Sequence, residues 1–298
     1  MAPRTSNRTR AVVNPLKPMK PFSTACQLIS AGIICICGPN VLAQSLFSDS
    51  FNYAPGSTLG GSTNVGNNTA WSGGNAVLSI SSSQLSYPGL QQAAGNDLVY
   101  TSGVSASTTY NTFAAVNSGS VYYSFLIDCT TLPTANNYLT ALNASPTTPG
   151  GSSDQLSTYA GASGTGWKLG VRTSGGGSGA AYSGTLALNT TYFIVEELTF
   201  GSPSVANLYV DPVPGGAQPG TATATQSTAT VLAGISDVGF KAQSTASTGD
   251  FDFGSLLIAQ DWADVTPAAV PEPNTVALLG GGLVLLQAAW RRRHSHRS

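Results

Sequence analysis

The sequence predicts an all-β fold in which two sheets pack face to face as a sandwich. Short runs of β-branched and aromatic residues recur along the middle of the chain, as in SVYYSFLID (120–128) and TTYFIVEELTF (190–200). Segments rich in glycine, proline and serine separate such runs, as in TSGGGSG (173–179) and PVPGGAQPG (212–220), and these residues favour turns. No window shows the 3.6-residue apolar period of an amphipathic helix. Many short strands joined by turns are typical of a sandwich domain.

Charged residues make up only 8% of the 298 residues, and their distribution is uneven. Most basic residues cluster near the two ends of the chain. Between residues 44 and 270 there are three basic residues (Lys168, Arg172 and Lys241) and twelve acidic ones, which gives this stretch a formal charge of −9. Nucleic-acid binding depends on basic side chains that neutralise phosphates. Nucleic acid is therefore not an expected partner.

The first 43 residues have the organisation of a secretory signal peptide. A lysine precedes an apolar run over residues 25–37, a Gly-Pro pair then breaks the helix, and a Val-Leu-Ala sequence ends at Ala43. These are the three regions of a signal peptide. We expect export through the Sec translocon, with cleavage between Ala43 and Gln44. The true start is either Met1, with an extended basic n-region, or Met19.

The C-terminal segment combines a proline-rich stalk, an apolar helix and a basic tail. The stalk occupies residues 268–274, and residues 275–290 are apolar except for one glutamine. A helix of this length spans roughly 24 Å, slightly less than a hydrocarbon core of about 30 Å. We therefore predict a transmembrane helix over 275–290, with residues 291–298 in the cytoplasm by the positive-inside rule. The basic residues that stop translocation are Arg291, Arg292 and Arg293.

These residues resemble the PEP-CTERM sorting signal of Gram-negative bacteria. A Pro-Glu-Pro sequence, a short apolar helix and a terminal arginine cluster carry the resemblance. The Pro-Glu-Pro sequence consists of Pro271, Glu272 and Pro273. The resemblance implies recognition by an exosortase, a membrane protease or transpeptidase that cuts near this motif. An inner-membrane-anchored precursor would then pass to the cell surface or the extracellular matrix. The alternative is an ordinary C-terminal anchor behind a proline-rich stalk.

Residues 44–267 are predicted to form one sandwich domain, and residues 46–267 resemble the LamG-like and concanavalin A-like jelly rolls of bacterial surface proteins. It opens with LFSDSFNYAPGSTLGG, followed by a loop that contains Trp71, and it closes with GDFDFGSLLIAQDWADVTP. The resemblance implies a two-sheet jelly-roll sandwich whose first and last strands pair. The closing strand departs from the family pattern, because Gly254 and Leu257 replace the usual Glu and Arg. Trp71 and Trp262 are expected in the core.

Residue types that most catalytic sites need are missing from this domain. His294 and His296 both lie in the tail, which excludes Ser-His-Asp and Cys-His catalysis and the usual His-built zinc sites from the domain. Glu196 and Glu197 are adjacent and should point to opposite faces of a strand, one into solvent and the other onto the sheet's polar face. Cys129 has no basic neighbour, which favours an inert, buried thiol. An enzyme is therefore not expected, and a glycosidase or polysaccharide lyase is the least favoured alternative.

Calcium is the only cofactor that the sequence suggests. Asp250 and Asp252 share one side of a predicted strand, and Asp49 lies on the first strand, next to it if the domain ends pair. Oxygen ligands of this kind suit Ca²⁺. The alternative is a solvated strand face without a metal.

Five aromatic residues are candidates for glycan contact because their surroundings are polar and rich in glycine. They are Tyr110, Tyr138, Tyr159, Trp167 and Tyr182. We predict an exported, surface-sorted structural or adhesive protein, with an exopolysaccharide or another surface glycan as a candidate partner. The first alternative is a lectin-like carbohydrate-binding module, which would need several exposed aromatic residues in one cleft.

Overall fold

The computed structural model describes most of the predicted sandwich domain. The described residues are 45–74, 77–101, 106–146, 149, 153–174, 179–243 and 249–269. The predicted signal peptide with its Ala43–Gln44 cleavage site, the Pro271–Pro273 motif, the 275–290 helix and the basic tail lie outside these residues. Within the described part, no helix has the length and apolar character needed to span a bilayer.

Fifteen strands and one short helix are found among the described residues. In chain order they are β1 (Phe47–Asp49), β2 (Ser72–Gly73), β3 (Leu78–Ile80), β4 (Leu98–Tyr100), β5 (Ser107–Val116), β6 (Ser120–Thr131), β7 (Asn137–Asn143), β8 (Asp154–Ser163), β9 (Gly166–Thr173), β10 (Ala181–Tyr182), β11 (Tyr192–Thr199), β12 (Ser204–Val210), β13 (Ala224–Thr228), β14 (Ile235–Ala242), β15 (Asp250–Ala259) and α1 (Trp262–Val265). The all-β prediction is confirmed.

The strands form two antiparallel sheets, which confirms the predicted two-sheet sandwich. The eight-stranded sheet has the order β13-β12-β11-β6-β15-β4-β3, with β1 also paired to β15. The seven-stranded sheet has the order β10-β9-β8-β7-β14-β5-β2. The first and last strands pair, with Phe47 opposite Ile258. The two ends of the sandwich therefore lie side by side, as the jelly-roll resemblance implied.

The main core lies between the inner faces of the two sheets. Side chains alternate along each strand, and Phe251 and Phe253 of β15 both point inward. Phe251 packs edge-on against Trp167 of β9, with ring centroids 5.6 Å apart, and Phe253 packs against Phe240 of β14 at 5.3 Å. Trp71 is also in this core, as predicted. Because these rings come from both sheets, their burial holds the sheets together.

A second apolar cluster covers the outer face of the eight-stranded sheet. Its buried members are Leu90, Tyr122, Leu126, Phe193, Val195, Tyr209, Ala259, Trp262 and Val265. Trp262 lies here rather than in the main core, because its ring packs edge-on against Tyr122 and Tyr209. Its indole N–H donates to the carbonyl oxygen of Gly216 at 3.0 Å. Helix α1 and the loop before β4 therefore close much of this outer face.

Candidate functional site

The three aspartates predicted to bind Ca²⁺ are not brought together. β1 does pair with β15, but Asp49 lies opposite Leu256, four and six positions from Asp252 and Asp250. Within the described residues, no group of three His, Cys, Asp or Glu side chains is placed to hold a metal ion. The strand register therefore separates Asp49 from Asp250 and Asp252 along β15.

Asp49 instead ties the first loop to the core. Its carboxylate accepts hydrogen bonds from Phe51 N at 2.7 Å, Tyr53 Oη at 2.6 Å and Trp71 Nε1 at 2.8 Å.

We expect Asp49→Ala to lower the free energy of unfolding by about 2–4 kcal/mol, because donors held in a buried site lose their acceptor. Urea denaturation measures this loss. Asp261→Ala, which removes an exposed carboxylate, is the control and should change stability by less than about 0.5 kcal/mol; equal effects would contradict the structural role of Asp49.

A different acidic group lies on the outer face of the eight-stranded sheet. Asp252 of β15 is directly opposite Asp128 of β6, and Asp97 precedes β4 on the other side of β15. Burial raises the pKa of Asp97 to about 6; a hydrogen bond from Leu85 N opposes the shift, and the charges of Asp252 and Asp128 add to it. The carboxylates of Asp97, Asp128 and Asp252 therefore lie on the side of the eight-stranded sheet that is turned away from the seven-stranded sheet.

Glu196 and Glu197 point to opposite sides of β11, as predicted, but neither is solvated. Glu196 lies in the main core with 0% exposure, and both of its carboxylate oxygens accept from Thr158 Oγ1 at 2.9 Å. Glu197 lies on the outer face and is 7% exposed. Its carboxylate oxygens accept from the side chains of Ser120, Thr199, Asn207, Tyr209 and Gln218. The two carboxylates therefore cannot act on one substrate.

Four of the five predicted aromatic residues share the outer face of the seven-stranded sheet. Tyr138 of β7 lies opposite Tyr159 of β8, and Tyr159 and Tyr182 of β10 both lie opposite Gly170 of β9. Residues directly opposite each other point to the same face. Tyr138, Tyr159 and Tyr182 therefore form a line across four adjacent strands, termed the tyrosine row. Tyr110 of β5 lies on the same face, further along the sheet.

All three basic residues of the domain lie on this same face. Lys168 and Arg172 are two positions to either side of Gly170 on β9, so both side chains point outward with the tyrosine row. Lys241 lies on β14, beyond the Tyr138 end of the row. Each cation contacts one tyrosine of the row. The contacts are Lys168 Nζ to the ring centroid of Tyr182 at 4.2 Å, Lys241 Nζ to that of Tyr138 at 5.5 Å, and Arg172 Nη1 to Tyr159 Oη at 3.4 Å.

The tyrosine row with Lys168, Arg172 and Lys241 is termed the cation–tyrosine face. Among the described residues, no aspartate or glutamate forms an ion pair with any of the three cations. The acidic side chains of this sheet face are Asp154 and Asp237, which lie opposite Asn143 at the far end of β7. The positive charges of the cation–tyrosine face are therefore not neutralised by paired carboxylates.

Two glycines allow large side chains to lie close to the sheet here. A Cβ atom on Gly170 would come within 2.6 Å of the Tyr182 ring. A Cβ atom on Gly161 would lie 2.1 Å from Asn136 Oδ1 and 3.1 Å from Lys168 Cε. Any other residue would displace the Tyr182 ring at Gly170 or the Asn136 side chain at Gly161, so both glycines are needed for the close packing of this face.

The aromatic candidates differ in their access to solvent. Trp167 is not on the face: it is fully buried, and its indole N–H donates to the Ala187 carbonyl oxygen at 3.0 Å. Tyr138 is only 4% exposed, and its hydroxyl donates to Asp154 Oδ2 at 3.0 Å. Tyr159 and Tyr182 are partly exposed. Burial, with a smaller contribution from Tyr159, raises the pKa of Tyr182 above its ordinary value, so its hydroxyl stays protonated at neutral pH and can donate a hydrogen bond.

The described chain is thus an antiparallel β-sandwich with one sheet face built from tyrosines and unpaired cations. At its C-terminal end, residues 269–293 match the PEP-CTERM protein-sorting motif. This match confirms the sorting signal that the C-terminal residues resemble, and it implies export to the cell surface and processing by an exosortase.

Several solved structures resemble the sandwich at low sequence identity. A mutant of alginate lyase Aly36B in complex with an alginate trisaccharide is 11% identical, with a TM-score of 0.48 over 74% of this chain and 99% of the lyase. A Trypanosoma rangeli sialidase complex is 12% identical, with a TM-score of 0.44 over 74% of this chain and 32% of the sialidase. The globular domain of T. cruzi calreticulin is 12% identical, with a TM-score of 0.40 over 57% of this chain and 76% of that domain. No curated protein matches the sequence.

Proposed function

We propose that this protein is sorted to the cell surface and there binds a glycan through the cation–tyrosine face. The observation that carries the proposal is the alignment of three tyrosines across four strands, with a lysine over two of the rings and an arginine at the hydroxyl of the third. Glycan sites combine aromatic surface with a few polar groups that hydrogen-bond to sugar hydroxyls. Tyr159 and Tyr182 supply both, because each is a partly exposed side chain with an aromatic ring and a hydroxyl.

The sorting route in the proposal follows from the two ends of the chain. The signal peptide directs export through the Sec translocon, and the 275–290 helix holds the precursor until an exosortase cuts near Pro271–Pro273. Intact mass spectrometry of the protein from its native host tests this route. A mature chain that begins near Gln44 and ends near residues 271–273 supports it, whereas a chain that still ends at Ser298 in the inner membrane overturns it.

Glycan binding is tested by screening the full chain on an array of bacterial polysaccharides. For each glycan that the wild-type protein binds, we expect Tyr182→Ala to lower the affinity at least about fivefold. The substitution removes an aromatic contact worth roughly 1 kcal/mol. Tyr87→Ala is the matched control, because Tyr87 is also partly exposed but packs against Phe193 on the other sheet. Equal loss in both variants, or no glycan bound by wild type, would overturn the proposed function.

A further inference from the structure

We infer that the glycan bound at the cation–tyrosine face is an acidic polysaccharide whose sugar units carry carboxylates. This inference rests on the proposed function and names its ligand class. Residues 44–270 contain three basic side chains, and all three reach the same face of one sheet although they come from two strands. Binding of a neutral glycan would not require several cations on one face. Binding of a glycan with repeating carboxylates would require them.

The spacing of the cations suits a linear polyanion that crosses the strands. From Lys241 on β14 to Tyr182 on β10 the face covers five neighbouring strands, which is roughly 19 Å at the usual strand spacing. Lys168 and Arg172 lie on either side of the tyrosine row near one end, and Lys241 lies at the other end. A chain lying along the row would therefore meet a cation at each end.

The chemistry of the cations favours carboxylates as their partners. The guanidinium of Arg172 makes one long contact, to Tyr159 Oη at 3.4 Å, so most of its donors are open to a ligand. Arginine binds carboxylates through paired hydrogen bonds. The acidic groups Asp97, Asp128 and Asp252 lie on the outer face of the other sheet. On the cation–tyrosine sheet face, three cations stand against the two carboxylates of Asp154 and Asp237. This face is therefore basic by one charge although the domain is acidic overall, which favours it over the other sheet as the place where a polyanion binds.

Titration calorimetry with the full chain tests this inference. The acidic probes are alginate and pectate, dextran is the neutral probe, and single-stranded DNA is the competing polyanion. We expect the affinity for the polyuronates to fall as the salt concentration rises from roughly 50 to 300 mM, because salt screens charge interactions. Dextran should bind at least about tenfold more weakly than the polyuronates. Arg172→Gln should weaken polyuronate binding at least about tenfold, since it removes a charge-assisted hydrogen-bonding group.

The matched control is Ser227→Glu. It lowers the net charge by one, as Arg172→Gln does, but at an exposed position on the edge strand β13 of the other sheet; it should change binding less than about twofold. Equal affinity for dextran and polyuronate, with no effect of Arg172→Gln, would overturn the acidic class but leave glycan binding standing. Tighter binding of DNA would also overturn it. Failure of every glycan to bind would overturn both this inference and the proposed function.

We also infer, from a different part of the chain, that the chain leaves the sandwich at Ala269 on the side opposite the cation–tyrosine face. Helix α1 packs on the outer face of the eight-stranded sheet, and the residues after it are bonded to two loops on that side. The bonds are Gly215 N to Thr266 O at 2.6 Å, Gln91 N to Pro267 O at 2.8 Å and Ala269 N to Gly89 O at 2.8 Å. The predicted stalk at 268–274 is therefore fixed to the sandwich as far as Ala269.

Because the chain is bonded to the sandwich as far as Ala269, the linker between the sandwich and the Pro-Glu-Pro motif is short. Three residues from Ala269 to Glu272 reach at most about 10 Å. A tether attached at the motif would therefore hold the eight-stranded sheet toward its anchor. The cation–tyrosine face would point away from the anchor, toward glycans in the surrounding matrix.

Distances between pairs of spin labels test the exit side in the full chain. One label is placed at Glu272→Cys and the second at either Ser86→Cys, on the loop before β4, or Thr108→Cys, opposite Lys241 on β5. The leader cysteines Cys26, Cys35 and Cys37 are replaced by serine, and buried Cys129, whose pKa burial raises to about 12, should react slowly. We expect the distance to Thr108 to exceed that to Ser86 by more than about 10 Å, the usual spacing between packed sheets. Equal distances, or a shorter one to Thr108, would overturn this inference without bearing on glycan binding.

Discussion

Replacing Trp167 by alanine is expected to lower the free energy of unfolding by about 3–5 kcal/mol. Trp167 is fully buried between the sheets, and its ring packs edge-on against Phe251 at 5.6 Å and Tyr192 at 6.1 Å. The alanine would leave a cavity in the main core and would leave the Ala187 carbonyl oxygen without its indole donor. Urea denaturation monitored by circular dichroism measures the loss.

Two further variants make this expectation specific. Trp167→Phe keeps most of the ring volume and should lose less than Trp167→Ala. Tyr182→Ala removes a partly exposed ring from the cation–tyrosine face and should lose less than about 1 kcal/mol. If Trp167→Ala were as stable as Tyr182→Ala but bound glycan more weakly, Trp167 would be a binding residue, and its place in the core would be contradicted.

Glu196→Gln is expected to make the protein more stable at pH 8, by about 2–4 kcal/mol. Burial raises the pKa of Glu196 to about 8, although the hydrogen bond from Thr158 opposes the shift. Since the folded pKa lies above the unfolded value of 4.5, the acid contributes its stability below about pH 4.5. That contribution is lost as the pH rises through 8. Glutamine has nearly the same shape and no proton to lose, so wild type and variant should diverge as the pH rises from 5 to 9.

The neighbouring residue is the matched control for this expectation. Glu197→Gln should destabilise the protein, by roughly 1–2 kcal/mol, because the charge-assisted hydrogen bonds from Asn207 Nδ2 at 3.0 Å and Gln218 Nε2 at 2.9 Å would become weaker neutral ones. Urea denaturation across this pH range gives both values. Parallel pH profiles for wild type and Glu196→Gln would contradict the burial of an acid in the core.

The strands and the sandwich could be predicted because they depend on local patterns. Alternating apolar residues and turn-forming segments are visible in one sequence, and the alternation also placed Glu196 and Glu197 on opposite faces. Which face is the inner one depends on how the sheets pack. The sequence pattern therefore predicts neither glutamate in the core, although Glu196 lies there, where charged residues are rare.

The cation–tyrosine face shows the same limit at longer range. Tyr138, Tyr159 and Tyr182 were recognised as candidates singly, but their alignment depends on the register of four strands. Lys168 and Arg172 are four residues apart, which on a strand places them on one face, so this part of the site was open to prediction. That Lys241 lies on the same face as Lys168 and Arg172 follows only from the order of the strands in the sheet. The separation of Asp49 from Asp250 and Asp252 likewise depends on strand pairing, so neither could be predicted from the sequence.

The most direct test of the account is chemical footprinting of lysines in the presence of polysaccharide. Lys168 and Lys241 are the only lysines between residues 44 and 270, and both lie on the cation–tyrosine face. The full chain is acetylated with and without a saturating polyuronate, and modification is quantified by mass spectrometry, with Lys17 and Lys20 of the leader as internal controls. The account predicts that alginate or pectate lowers the acetylation of Lys168 and Lys241 at least about fivefold, because a contact worth roughly 1 kcal/mol shifts the population of each lysine by about that factor. Dextran should leave their acetylation unchanged. Unchanged acetylation of Lys168 and Lys241 under saturating polyuronate would contradict the claim that this face binds the glycan.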